Sequence, residues 1–169
     1  VTKFLLSLHV LAAIIAVGPV TVAASMFPPS ARKALAEPGS ERAAAAVRLL
    51  HRICRVYGGV GIAVPVLGFA TAMSMGVLND AWLIVSMLLT ALAAMVLLAL
   101  VLPRQEEILA GLGGSGTGSP ATGTADTATG TAVDTRATAR LAMFTGVFNL
   151  LWATVTILMI VRPGSTTGA

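Results

Sequence analysis

His9 is the one ionisable side chain placed well inside an apolar stretch of this chain, residues 4–27. An ionisable group at such a place is costly unless it is paired, hydrogen-bonded or ligating, so it marks a functional position. The helical face that carries His9 continues through Ala12, Ala13, Ala16, Val20 and Ala23. Small residues let a neighbouring backbone approach, so this face is expected to turn inward with His9 on it. At 1.5 Å per residue, His9 lies about 8 Å below the surface from which the segment enters. The same arithmetic brings Thr71, Ser86, and Thr154 or Thr156 to its level, together with Met73, Met75, Met87 and Met159. Two chemistries fit these residue types. One is a haem, haem b, ligated by His9; the other is Cu(I) held by His9 and the thioethers of Met73, Met75, Met87 and Met159. A third reading involves no cofactor: a buried histidine hydrogen-bonded to serine or threonine, with methionines as packing.

The other candidates are weaker. His51 belongs to the far end of the second apolar segment, on the order of 20 Å from His9 across a bilayer, so one haem cannot be held by both in a single chain. Cys54 has no second cysteine to pair with and reads as a small apolar packer. Asn149 reads as a hydrogen-bonding link between helices. There is no Gly-x-Ser-x-Gly, no His-Glu-x-x-His and no carboxylate inside an apolar segment, which excludes the usual hydrolase sites and a carboxylate proton relay. Gly113-Gly114-Ser115-Gly116 is followed by no Gly-Lys-Ser/Thr, so it is not a phosphate loop.

The elements that must position His9 are four apolar segments: residues 4–27, 56–75, 81–102 and 141–161. About 20 apolar residues suffice to cross the ~30 Å hydrocarbon core. The whole chain is 56% hydrophobic and 11% charged, against about 25% charged in a soluble domain. The fold expected is therefore all-α, a polytopic membrane protein built as a single domain, an antiparallel bundle of four transmembrane helices. Gly18-Pro19 should kink the first segment and Pro28-Pro29 should end it. Ser40 can cap a helix from Glu41, and that helix feeds into the second segment. There Gly61, Pro65, Gly68 and Ala72 share a face of close approach. Trp82 opens the third segment at an interface position, and Pro103-Arg104 marks its exit. Residues 111–139, rich in Gly, Thr, Ala and Ser, read as a flexible loop.

Charge sets the orientation. Of 11 lysines and arginines, only Lys3 and Arg162 fall outside the two long connections, 28–52 and 103–140, or their edges. The positive-inside rule then puts those connections in the cytoplasm and both termini outside. The basic pI of about 10.2 has this origin, and nucleic acid is not an expected partner. Lys3 and the Ala23-Ala24-Ser25 sequence have the outline of a signal peptide, but the apolar run exceeds the usual core length and a basic loop follows it. A retained span is expected.

The opening Lys3-Phe4-Leu5-Leu6-Ser7-Leu8-His9-Val10-Leu11-Ala12-Ala13, with the basic first loop, Trp82 and the closing Ile160-Val161-Arg162-Pro163, resembles small four-helix bacterial membrane proteins. These include the HemJ-type protoporphyrinogen oxidases, copper-resistance D-type proteins and an uncharacterised integral-membrane family. In the oxidases a first-helix histidine is implicated in haem binding, which the resemblance carries to His9. Their third-helix lysine has no counterpart here, so the uncharacterised family is the nearer likeness. The resemblance implies the bacterial inner (plasma) membrane. It leaves three functions to weigh: an accessory or structural subunit of a membrane assembly such as a respiratory complex, with partner subunits or a second copy of the chain; a haem- or porphyrin-handling redox protein using His9; and a copper-handling protein.

Overall fold

The computed structural model describes the backbone of residues 1–114 and 126–164 and the side chains of residues 1–113 and 136–164. All its regular elements are helical. In order they are α1 (Thr2–Ala36), α2 (Glu41–Val60), α3 (Ala63–Met75), α4 (Ala81–Met95), a π-helical segment (Val96–Val101), α5 (Leu102–Gly114) and α6 (Asp126–Val161). Grouped by continuity they make four helices long and apolar enough to cross a membrane, and at most 28% of any apolar window is buried inside the bundle.

Two boundaries differ from expectation. Helix α1 passes through Pro19, Pro28 and Pro29 and ends only at Ala36. An interior proline removes one backbone bond and crowds the carbonyl four residues back, at a cost of about 3 kcal/mol. Packing on both sides offsets it here: Phe27, Ala31 and Ala34 are buried against Ala43 and Val47 of α2. Pro103, the expected exit of the third segment, does not interrupt the helix, which continues to Gly114. The wide turn that precedes it, closed by Leu102 N–H donating to the Leu97 carbonyl, gives the Pro103 ring room that an α-turn would deny. The stretch read as a loop, 111–139, is helical at its edges, because α5 reaches Gly114 and α6 begins at Asp126. Thr138 and Leu141 are fully buried, so the inward face of α6 extends past its apolar span. Residues 115–125, where the flexible-loop reading also falls, lie outside the described residues.

The helix running from Glu41 to Met75 is interrupted at Gly61 and Ile62. Pro65 cannot donate to the Gly61 carbonyl, and Val64 N–H takes it instead at 3.1 Å, a tighter turn. Ser40 caps α2, accepting from Ala43 N–H at 3.4 Å, as its position predicts. Gly76 ends α3 with φ +71, and Val77 N–H returns to the Ala72 carbonyl at 3.3 Å, a left-handed cap that suits glycine.

Helix α1 runs antiparallel to α2 and α3. Thr2 Oγ1 donates to the Ser74 carbonyl at 3.4 Å, Ala23 and Ala24 pack on Cys54, and Ala34 shares a cluster with Ala43. Helix α4 packs on α6, and α1 also meets α6, while α3 has no comparable packing against α4 or α6. The two ends of the bundle are therefore unequal. Toward the basic connections, Phe27, Val47, Val101 and Leu141 are fully buried in one cluster. At the end that carries Thr2, the α3–α4 turn and Arg162, the buried cluster is reduced to Ala72, Trp82 and Leu83.

This asymmetry has a mutational signature. Phe27→Ala should cost about 3–5 kcal/mol through the cavity it leaves, whereas Phe4→Ala, at a side chain 69% exposed, should change stability by about 0.5 kcal/mol or less. Equilibrium unfolding of both variants in detergent micelles is the check.

Candidate functional site

The unequal packing opens a cavity of about 1360 Å³ between the α1/α3 pair and the α4/α6 pair. Small-molecule sites commonly occupy ~300–1,000 Å³, so a large planar or chain-like ligand has room. A second hollow of about 120 Å³ adjoins it, and Val17, Pro65, Thr90, Ala94 and Trp152 line both. The walls are mostly aliphatic and aromatic.

His9 lines this cavity. Its Nδ1 lies 3.0 Å from the Val64 carbonyl oxygen. A carbonyl only accepts, so Nδ1 carries a proton, and in the neutral imidazole Nε2 keeps its lone pair with no partner among the described residues. This is the arrangement by which a backbone carbonyl fixes tautomer and ring orientation in histidines that ligate through Nε2. Gly68 makes the approach of α3 possible: a Cβ there would sit 2.9 Å from His9 Cε1. The small-residue face expected around Gly61, Pro65, Gly68 and Ala72 thus has a specific use at Gly68, which is to admit the imidazole.

Of the residues placed at the level of His9 by helical rise, Thr71, Thr156, Met75, Met87 and Met159 line the same cavity. Met73 does not; it is 58% exposed, on the far side of α3. Ser86 is fully buried and returns its hydroxyl to the Trp82 carbonyl at 2.7 Å, and Thr154 bonds its own helix at Leu150. Thr71, Thr90 and Thr156 also donate to carbonyls one turn back. Their hydroxyls are held within their own helices, so none is the partner of His9. No group of three or more His, Cys, Asp and Glu among the described residues could hold a metal ion.

Comparison with family models, with curated proteins and with solved structures finds no match for this chain.

The second histidine has a separate environment at the tightly packed end. His51 Nδ1 lies 3.0 Å from Gln105 Oε1, Gln105 Nε2 donates to Cys54 Sγ at 3.6 Å, and His51 Nε2 is 3.7 Å from a Glu106 carboxylate oxygen. Gln105 is fully buried, and this network joins α2 to α5. Sequence reasoning passed over Gln105. The signal was present, because Val101, Gln105 and Ile108 follow one another at i, i+4 and i+7 and all three are buried. Asn149 does link helices, donating to Ser25 Oγ of α1 at 3.1 Å. Arg162 was also passed over as a site residue. It lines the cavity mouth with φ +46, a left-handed conformation that costs a non-glycine residue about 1–3 kcal/mol.

The ring geometry is directly observable. In uniformly ¹⁵N-labelled protein in nanodiscs, neutral His9 should give the Nδ1-protonated pattern, with Nε2 unprotonated. Gly68→Ala should shift the His9 resonances and destabilise the protein by about 1–3 kcal/mol through overpacking; an unchanged His9 spectrum in that variant would contradict the packing described.

Proposed function

We propose that this chain is a multi-pass membrane protein that binds haem b, or a related porphyrin, in the cavity between α1/α3 and α4/α6, with His9 Nε2 as the protein's ligand. The membrane part rests on four long apolar helices whose large side chains face outward. Phe4, Leu88 and Leu150 are all more than 60% exposed, a surface suited to acyl chains and unsuited to water. Nine of the eleven basic residues in or beside the two long connections support an orientation with those connections in the cytoplasm and both termini outside.

The observation that carries the ligand reading is the carbonyl-held imidazole. Val64 fixes the tautomer of His9, Gly68 gives it space, and the cavity that His9 lines is wide and apolar. Met75, Met87 and Met159 line the same space and offer soft sulfur donors. A bound haem would bring one-electron redox chemistry to this site. The chain's own contribution is to orient one donor nitrogen, surround it with apolar walls and limit water. The copper alternative keeps His9 and these three methionines but loses Met73. The accessory-subunit reading is favoured by the opening beside α3, which a helix of a partner subunit could also fill.

Absorption spectroscopy separates these readings. Protein purified from haem-replete cells in mild detergent should show a Soret band that His9→Ala reduces by at least about tenfold in occupancy, since loss of even a supporting partner of a ligand costs that much. No Soret band after haemin addition, or a band that survives His9→Ala, would remove the haem reading. Copper retained in place of haem would select the second reading, and a stoichiometric co-purifying subunit the third.

A further inference from the structure

The cavity has one formal charge on its walls. Among the described residues that line it, Arg162 is the only Lys, Arg, Asp or Glu. Its guanidinium lies 5.6 Å from the Trp82 ring centroid, stacked as a cation over an aromatic face. Its Nε donates to the Met159 carbonyl at 3.4 Å, and it takes part in none of the ion pairs found among the described residues. Asp80, at the same rim, accepts from Trp82 Nε1 at 3.0 Å instead. The strained left-handed backbone at Arg162, followed by Pro163 and Gly164 (φ +81), turns the chain at the end of α6, and all three residues line the cavity mouth.

Deeper in, the hydroxyls are taken up within their own helices. Two other polar side chains on its walls can hold a ligand, and they differ in kind. His9 Nε2 is an electron-pair donor, placed about 10 Å in from Thr2 at 1.5 Å per residue. Arg162 is a fixed cation at the mouth.

We propose that the cavity selects amphipathic carboxylates: an apolar body within, and an anionic head held by Arg162 at the rim. The apolar walls and the single cation are complementary to that class. A guanidinium binds a carboxylate through paired, charge-assisted hydrogen bonds, and a site partly shielded from water strengthens them. For a porphyrin the class means its propionate edge faces the rim, and to that extent the inference rests on the haem reading; for a fatty acid it stands without it.

Two matched ligand pairs test it on the full chain in nanodiscs made of zwitterionic lipid. The first is haemin against its dimethyl ester, followed by absorbance. The second is the fluorescent polyene fatty acid cis-parinaric acid against its methyl ester. The wild-type protein should prefer the acid of each pair by about tenfold or more, the scale of a hydrogen bond to a charged group. Arg162→Gln should bring the acid down to the ester's affinity while leaving the ester unchanged, and Arg162→Lys should retain part of the preference. Preference for the fatty acid without porphyrin binding would uphold this proposal and remove the haem reading. Porphyrin binding through His9 with no acid-over-ester preference in either pair would do the reverse. If Arg162→Gln weakens acid and ester equally, or if neither acid is preferred by the wild type, the proposal is overturned. Should Arg162→Gln fail to fold, the wild-type acid–ester comparison still decides.

Discussion

Everything else in this molecule depends on how closely α1 can approach the helix formed by α2 and α3. That approach is set by the smallest side chains in the chain. Ala23 and Ala24 lie on Cys54, Ala31 and Ala34 lie near Ala43, and His9 lies on Gly68. Between helices that share an apolar solvent, burial of apolar surface drives little association, and close van der Waals packing with a few hydrogen bonds must supply it. Helix α1 is also the element that ties this pair to α6. Its length follows from the same need. The helix runs past two adjacent prolines because stopping at Pro28 would forfeit the packing of Ala31 and Ala34.

Polar groups are handled in two distinct ways. Most hydroxyls return to the carbonyl one turn back, which satisfies them without joining helices; Thr71, Ser86, Thr90 and Thr156 all do this. The amide and imidazole groups cross between helices: His9 to Val64, His51 to Gln105, Asn149 to Ser25. A short hydroxyl on a helix has a carbonyl within reach of its own backbone, whereas a longer, branched polar side chain must look elsewhere. On α6, Thr145 Oγ1 and Asn149 Oδ1 are buried without partners among the described residues. Buried unpaired acceptors are costly, and they lie on the helix that forms one wall of the cavity.

The four apolar segments, the cap at Ser40 and the inward aim of His9 were legible in the sequence because each rests on local chemistry: run length, a capping hydroxyl, a stripe of small residues. The continuation of α1 past Pro28 was not, because proline's local penalty was outweighed by tertiary packing, and the widened turn before Pro103 was not legible either. Met73 illustrates a different limit. Helical rise gives depth along a bundle but not azimuth, and Met73 and Met75 are about 200° apart around α3 at 3.6 residues per turn; only Met75 reaches the cavity. The tautomer of His9 could not be read either, since it depends on a carbonyl in another helix. Arg162 entered only as a charge at the end of the last span, because sequence shows that position but not the backward turn that places it over Trp82.

The two ends of the bundle carry different jobs for a physical reason. The end with the basic connections extends past the apolar spans and builds a core as a soluble helical protein would, with Phe27, Val47, Val101 and Leu141 interlocked and Gln105 held by His51 and Cys54. Such packing fixes four helices firmly at one end. It leaves α3 and α4 joined at the other end mainly through the small cluster of Ala72, Trp82 and Leu83, because the closed end already holds the fold. A cavity large enough for a ligand needs this division: sites drawn from the less tightly packed part of a protein are stable only when the remainder is over-determined. The strained backbone of Arg162 and the close fit of His9 on Gly68 both sit at the open end, where a bundle optimised for stability alone would have filled the space with side chains and relaxed the turn.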